Sequence, residues 1–206
     1  QEYSALGNKF QNYMNWNSLN PYTQVGINYK GQALNLNFNL PINFYGIDYK
    51  DNLRNEDREM SKTVFEPTFW GSYDFASYFK IWAVGSMNYS FGDFGDLYMG
   101  DLLTSPRNIA NNESLLPENR MLNGNTRLEY RNPLNNLFFN VSYRIGNNTS
   151  NLVTNRIIDQ QTGNTSIIVE ENDNTSKSNS QRAEIGKYFP KFKTNLSVNF
   201  TNSNST

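Results

Sequence analysis

Two groups of charged side chains have residue types and a spacing suited to chemistry. The first is Asp93, Asp96 and Asp101, in the glycine-containing stretch GDFGDLYMGD. Carboxylate oxygens are the ligands that hard cations such as Ca²⁺ prefer, but this spacing is not that of an EF-hand loop. We therefore predict no metal site and treat the three aspartates as candidate ligand contacts in a solvated loop.

The second group is Arg127, Glu129, Arg131 and Arg144, which alternate with less polar residues in two short stretches. Alternation places such side chains on one face of a strand, because successive side chains of a strand point to opposite faces. On a wet face, these residues would form a charge ladder along the path of a solute. Structural ion pairing between neighbouring strands is the simpler interpretation of the same pattern.

The composition argues against catalysis. The chain contains no histidine and no cysteine, which removes the commonest general base, thiol nucleophiles and thiolate metal sites. It offers no convincing carboxylate pair either. We therefore predict a non-enzymatic protein without cofactors. The formal net charge of −1 also disfavours a nucleic-acid partner, which requires a basic face.

The elements that must position these side chains are strands. The stretch LNLNFNLPINF, residues 34–44, has every apolar side chain on one side and asparagines with Pro41 on the other. Similar alternation predicts eight strands in four hairpins, and a weaker strand around residues 9–16. The eight are residues 22–30, 34–44, 63–75, 79–91, 126–131, 137–144, 183–189 and 194–200. Since Pro41 cannot donate to a ladder, we expect a bulge or an unpaired site beside it.

The turns within hairpins are short. Gly31-Gln32 suits a type II′ turn, which predicts that Lys30 pairs with Ala33. The NPLN turn at residues 132–135 has proline at the favoured second position. The last turn is predicted at Pro190-Lys191, with Phe189 paired to Phe192.

The links between hairpins are long and polar, at residues 46–62, 92–124 and 146–181. Two parts of the last link, residues 157–158 and 166–170, resemble strands and are predicted to extend a hairpin. Such long loops are uncommon in compact domains. Transmembrane barrels, however, have short turns at one end and long loops at the other. Because every short turn falls at alternate connections, all of them are predicted to lie at one end.

The two sides of the strands differ in composition. This difference distinguishes a sheet that faces lipid from a sheet that packs on a protein core. A soluble sandwich would carry lysine and glutamate on its outward face, but here the polar side is largely asparagine and serine. The apolar sides of residues 34–44, 79–91 and 137–143 hold no charge, and a charge near the membrane midplane would cost roughly 2–4 kcal/mol. Tyrosine and phenylalanine collect near turns, as in aromatic girdles.

The predicted fold is therefore all-β. Antiparallel up-and-down strands form part of a transmembrane outer-membrane β-barrel, with short turns at one end and long loops at the other. No run of about 18 apolar residues, the length of a membrane-crossing helix, occurs in the sequence.

In the order and spacing of its hairpins the chain resembles the barrel of a TonB-dependent outer-membrane receptor. The resemblance is to the large Gram-negative type with a carboxypeptidase-regulatory-like N-terminal domain, and it covers nearly all of the chain from Pro21 onward. The stretches that carry it are PYTQVGINYKGQALNLNFNLPINFYGIDY, NYSFGDFGDLYMGDLLTSPRNI, RLEYRNPLNNLFFNVSYRIGNNTSNL and NDNTSKSNSQRAEIGKYFPKFKTNLSVNF. The resemblance implies a barrel of about 22 strands around an N-terminal plug, which imports a nutrient with energy from an inner-membrane complex.

The sequence also departs from a whole receptor, since it shows no TonB box, has no room for all the strands and ends in TNSNST rather than an aromatic residue. We therefore expect residues 1–206 to be a single interior segment of a barrel in the outer membrane, without the plug and the remaining strands. The implied partners are outer-membrane lipid, the plug, the inner-membrane complex through the missing part, and a surface lipoprotein. The charge ladder would then face the plug or the solute.

Three functions are compatible with this pattern. The leading hypothesis is part of a TonB-dependent transporter of a nutrient, whether siderophore, glycan or peptide. The second is a complete eight-stranded outer-membrane barrel that acts in adhesion or surface binding. The third is a soluble carbohydrate-binding β-sandwich whose exposed aromatic residues hold sugar rings.

Overall fold

Alternation of apolar and polar residues produces twelve β-strands in one sheet. The computed structural model describes residues 13–53, 55–92, 96, 102–105, 108–111, 116–158, 160–161 and 165–206. The strands are β1 (Met14–Leu19), β2 (Tyr22–Lys30), β3 (Leu34–Asp51), β4 (Glu56–Phe65), β5 (Thr68–Ala76), β6 (Phe79–Phe91), β7 (Leu102–Ser105), β8 (Asn108–Asn111), β9 (Glu118–Asn132), β10 (Leu137–Ile158), β11 (Thr165–Phe189) and β12 (Thr194–Ser205). A 3₁₀ turn at Pro190–Phe192 precedes β12.

The strands follow one another across an antiparallel sheet. β1 and β2 lie end to end along one side of β3, and β4 and β5 lie end to end along its other side. β5, β6, β9, β10, β11 and β12 then pair in succession. The β7–β8 hairpin lies beside the start of β11, to which β8 is parallel. The all-β, antiparallel up-and-down prediction is confirmed. The sheet is open, because no pairing in the described part of the chain joins β12 to β1 or β2.

The four predicted short turns lie at one end of the sheet. They lie between β2 and β3, β5 and β6, β9 and β10, and β11 and β12. However, β3 and β4 are joined at the opposite end by only four residues, so short turns are not confined to one end. The links predicted as long loops at residues 46–62 and 146–181 are mostly strand, which corrects that prediction. They consist of the outer parts of β3 and β4, and of β10 and β11, whose antiparallel ladders continue through polar residues. Residues 157–158 and 166–170 do lie in strands, as expected.

The predicted register was wrong at two turns. Lys30 pairs with Asn35 rather than Ala33, and Phe189 pairs with Thr194 rather than Phe192. Each turn is two residues longer than predicted. In the second, the 3₁₀ turn is followed by Lys193 in the left-handed region, at φ 51°. Because a shift of two residues preserves the side-chain period, the apolar faces still match.

The NPLN turn forms where it was predicted, and the side chain of Asn132 organises it. Asn132 is 8% exposed, and its Oδ1 accepts hydrogen bonds from the backbone N–H groups of Leu134 at 2.9 Å and Asn135 at 3.3 Å. Its Nδ2 donates to the Tyr130 hydroxyl at 3.1 Å. Asparagine side chains stabilise turns in this way. The predicted weak strand appears as β1, and residues 9–12 lie outside the described residues.

The register gives the sheet two chemically distinct faces, because partners across an antiparallel ladder share a face. One face, here the apolar face, carries large exposed apolar side chains on β2 to β12. They include Val25, Ile27, Tyr29, Phe69, Tyr73, Leu122, Val141, Tyr143, Ile145, Ile185, Leu196, Val198 and Phe200. The accessible surface is 14495 Å², whereas a folded monomer of 23.8 kDa would expose about 9,900 Å². The sheet is therefore a single layer whose apolar face is uncovered within the chain.

Beyond Phe44 the apolar side chains of β3 change face, and charged residues occur on both faces. In the outer segment, defined as β1, residues 45–51 of β3 and residues 56–64 of β4, the apolar side chains Ile47, Tyr49 and Val64 lie on the opposite face and are buried. The face that was apolar below Phe44 carries exposed charge here. Lys50 and Asp57 face each other there across β3 and β4, with Nζ 4.0 Å from Oδ2. The side chains of this face thus change from apolar to charged at this level.

Proline residues mark the same level in the backbone. β1 and β2 are separated at Pro21, whose carbonyl oxygen accepts from Phe44 N, and β4 and β5 are separated at Pro67. Pro41 lies beside the second break, so the unpaired site expected next to it is present. Glu66 bridges this break, since its carboxylate accepts from Tyr89 N at 2.6 Å and from Asn43 Nδ2.

Along its strands the apolar face carries a run of apolar side chains, here called the apolar band. The position of this band is staggered across the sheet. Leu34, where the band begins on β3, lies in a row of paired residues that reaches Val141 on β10. The band on β10 begins at Leu137, four residues below that row. Four strand-to-strand steps separate β3 from β10, so the strands slip by about one residue per step. A sheet that curves into a barrel requires such a stagger, because its strands tilt.

Replacing Gly186 with alanine is expected to destabilise the sheet by about 1–3 kcal/mol, the usual cost of overpacking. Gly186 pairs with Phe138, and an added Cβ would lie 2.0 Å from the Phe138 Cζ. The matched control is Gly85→Ala, whose Cβ would meet no atom closer than 3.8 Å. Urea titration of the folded fraction measures both variants. Equal stability of the two would contradict the packing of Phe138 over Gly186.

Candidate functional site

The face opposite the apolar face is concave and polar. A cavity of about 440 Å³ opens on it and is lined by five adjacent strands, β6, β9, β10, β11 and β12. All of its lining residues belong to the same face by their register. They are Trp82, Asn125, Arg127, Asn140, Ser142, Arg144, Ser180, Arg182, Glu184 and Thr201. The sheet therefore curves towards its polar side, which we call the concave face.

The arginines of the cavity lie on three neighbouring strands. Arg127 of β9 is paired with Ser142 of β10, and Ser142 is paired with Arg182 of β11. Arg144 lies two residues further along β10, opposite Asn125. Neighbouring strands are about 4.8 Å apart and each residue advances about 3.4 Å. The three Cα atoms therefore lie within about 10 Å of one another.

The charges of the cavity are unevenly compensated. Arg127 forms an ion pair with Glu129, with Nε 2.9 Å from Oε1. Trp82 Nε1 donates a long hydrogen bond, 3.4 Å, to the same carboxylate oxygen. Arg144 and Arg182 have no carboxylate oxygen within 4.0 Å among the residues that the structure describes. Two guanidinium groups thus line the cavity without an acidic partner in the described ranges.

The structure places the four predicted ladder residues, Arg127, Glu129, Arg131 and Arg144, on the concave face. Arg127 pairs with Glu129, as the ion-pairing interpretation predicts. Arg144 has no carboxylate within 4.0 Å among the described residues. Arg131 lies closer to the short turns, opposite Phe138. A role in solute passage remains a prediction.

The sequence interpretation missed Arg182 and Glu184. The signal for them was available, because they alternate with Ala183 and Ile185 just as Arg127 and Glu129 alternate with their neighbours. Arg182 lies one residue before the strand predicted at residues 183–189, whereas Glu184 lies within it and was not singled out. In the structure β11 begins far earlier, at Thr165.

Of the three aspartates predicted as loop ligand contacts, the structure describes one. Asp96 lies in a turn and is half-buried, and Asp93 and Asp101 lie outside the described residues. Within the described ranges, no group of three acidic, histidine or cysteine side chains is arranged to hold a metal ion.

A second, smaller cavity of about 220 Å³ lies in the outer segment. It is lined by Ile47, Tyr49, Arg58, Glu59, Met60, Leu116, Glu118 and Asn151. Tyr49 is 2% exposed and contacts Met14, Trp16 and Leu116. Glu118, which also pairs with Lys62, joins this region to the start of β9. The cavity is thus part of a small apolar cluster at the end of the sheet opposite the short turns.

No protein-family model, no curated protein and no solved structure matches the chain. In the described ranges, no helix has the length and apolar character needed to cross a membrane.

Proposed function

We propose that the chain is part of the wall of a TonB-dependent transporter in the outer membrane. Its apolar face contacts lipid, and its concave face lines the path of an imported nutrient. The observation that carries this proposal is the change of face of the apolar side chains beyond Phe44. Below that level apolar side chains point outward and asparagines inward, while above it charges point outward and Ile47, Tyr49 and Val64 are buried on the other face.

A single layer with this pattern is unfavourable in water. Monomeric soluble proteins rarely expose contiguous apolar patches larger than about 300–600 Å², and here such side chains continue from β2 to β12. Lipid removes this cost, because hydrocarbon chains accept apolar side chains without ordering water. On β3 the band covers residues 34–44, which agrees with the roughly 9–11 residues that a tilted strand needs to cross a bilayer.

Aromatic side chains gather where the band meets the short turns. The rings of Phe75 and Phe79 are 5.4 Å apart, and those of Phe79 and Tyr130 are 4.7 Å apart. Tyr78 contacts Tyr130 edge-on at 6.2 Å. In the last hairpin, Lys187 Nζ lies 5.6 Å from the centre of the Phe189 ring. Such rings and long basic side chains are favoured at a membrane interface.

The partners of this proposal are outer-membrane lipid, a plug, the energy-transducing inner-membrane complex and a surface lipoprotein. The eight-stranded adhesion barrel is the second candidate, because the end-to-end strands make eight passes across the sheet. A plug-encoding sequence in the same reading frame separates the two, since only the transporter has one. The soluble sandwich needs a second sheet against the apolar face, and every described strand belongs to one sheet.

Heat-modifiable migration tests the proposal. The purified chain, refolded in detergent micelles or phospholipid vesicles, is expected to migrate differently on a gel before and after boiling. It is also expected to precipitate when the detergent is removed, because the apolar face is then exposed to water. Vesicles should protect the band from protease. A chain that remains a soluble, folded monomer without detergent would refute the membrane proposal and favour the sandwich.

A further inference from the structure

Three arginines line one cavity on the concave face, and the described residues place no carboxylate within 4.0 Å of two of them. Arg127, Arg144 and Arg182 lie on adjacent strands, and all three line the 440 Å³ cavity. Glu129 neutralises Arg127. Glu184 also lines the cavity, but its carboxylate is not within 4.0 Å of Arg144 or Arg182 in the described part of the chain. Positive charges on neighbouring strands add to a positive potential over the cavity, so an anion placed there would be stabilised.

The groups around the two arginines suit a hydroxylated anion. Ser142 lies between Arg127 and Arg182 in the ladder, and Ser180 faces Arg144 from β11. Asn125, Asn140 and Thr201 supply further neutral polar groups, and Trp82 forms a flat wall. Arginine offers two parallel N–H donors to a carboxylate or phosphate. The cavity volume falls within the range of small-molecule sites, about 300–1,000 Å³.

We propose that Arg144 and Arg182, with Arg127 at the edge, bind the carboxylate or phosphate group of a small hydroxylated solute. This inference names the substrate class of the proposed transporter and rests on that function for the solute being cargo. The binding site itself depends on the concave face alone. Arg144 and Arg182 hold the anionic group, and the serine, threonine and asparagine side chains contact the solute hydroxyls.

The test uses citrate, inorganic phosphate and glucose as probes, titrated by calorimetry into the chain folded in detergent micelles. The wild-type chain is expected to bind citrate and phosphate but not glucose. The double variant Arg144→Gln/Arg182→Gln is expected to bind citrate at least about tenfold more weakly, since charge-assisted hydrogen bonds are lost. The matched control is Arg156→Gln, an exposed residue further along β10, and its affinity should stay within about twofold of wild type.

Several outcomes would overturn the inference. They are the absence of citrate and phosphate binding by the wild-type chain, equal binding by the double variant, and equal weakening by Arg156→Gln. If the double variant does not fold, Arg144→Gln and Arg182→Gln are measured singly. Heat-modifiable migration is recorded on the same samples. A chain that inserts into membranes but binds no anion refutes this inference alone, whereas anion binding by a detergent-free soluble chain refutes the proposed transporter and leaves the site in place.

Discussion

Replacing Val141 with arginine is expected to destabilise the membrane-inserted chain by about 2–4 kcal/mol, the cost of a charge facing lipid near the midplane. Val141 lies at the centre of the apolar band on β10 and is 37% exposed. The same substitution at Ser61 is expected to change stability by less than about 0.5 kcal/mol. Ser61 is exposed on the same face of the sheet but lies in the outer segment, opposite Gly46.

The difference in stability between Val141→Arg and Ser61→Arg depends on the solvent around each side chain rather than on the fold. Both side chains project from a strand without covering a core, so in water arginine would cost little at either position. In a bilayer only the residue within the apolar band meets hydrocarbon. The paired design therefore distinguishes lipid from water on a single face of the sheet.

The measurement is the folded fraction in phospholipid vesicles as a function of urea, read from heat-modifiable migration. Val141→Leu serves as an apolar control and is expected to stay within about 1.5 kcal/mol of wild type. If Val141→Arg and Ser61→Arg were both as stable as wild type, the apolar face would not contact lipid. Equal destabilisation of both would instead place the outer segment in the bilayer.

Replacing Tyr49 with alanine is expected to destabilise the outer segment by about 3–5 kcal/mol, as for other large aromatic side chains removed from a core. Tyr49 is 2% exposed and packs against Met14, Trp16 and Leu116. Its removal leaves a cavity that β1 and β4 can fill only by moving. Tyr49→Phe keeps the ring and is expected to cost at most about 1.5 kcal/mol.

The loss should be local. Hydrogen exchange in micelles is expected to accelerate at the amides of β1, β4 and the outer part of β3, because regions of a protein open with different free energies. The amides of β10 to β12 and of β9 beyond Glu118 should keep their protection, since their backbone ladders join them to one another and to β6 rather than to the outer segment. Uniform acceleration throughout the sheet would show that the outer segment and the band unfold together.

Much of the fold could be predicted from the alternation of apolar and polar residues. Period two identified the central parts of the strands, and it assigned the two faces correctly even where the register was wrong. The errors at Lys30 and Phe189 were of two residues, and an even shift returns each side chain to the same face. Turn length was less predictable, because the 3₁₀ turn at Pro190–Phe192 and the left-handed Lys193 depend on local backbone geometry.

Most of the outer segment, namely residues 45–51 of β3 and residues 56–62 of β4, was not predicted, for a physical reason. Its outward residues, such as Asp48, Lys50 and Asp57, resemble a charged loop in the sequence, and the change of side hides the alternation. What makes it a strand pair is the ladder to β3 and the burial of Tyr49, and both depend on distant residues. The arginine cluster was not predicted for a related reason. Arg182 comes near Arg127 and Arg144 only through the pairing of β10 with β11.

The free edge of β12 has a consequence for the chain outside a membrane. All twelve residues of Thr194–Ser205 are exposed, none is charged or proline, and the ladder to β11 runs without a bulge. Soluble proteins guard such edges with lysine, proline or bulges, because an unguarded edge templates the addition of another strand. In water, such an edge would favour the addition of a strand from another copy of the chain.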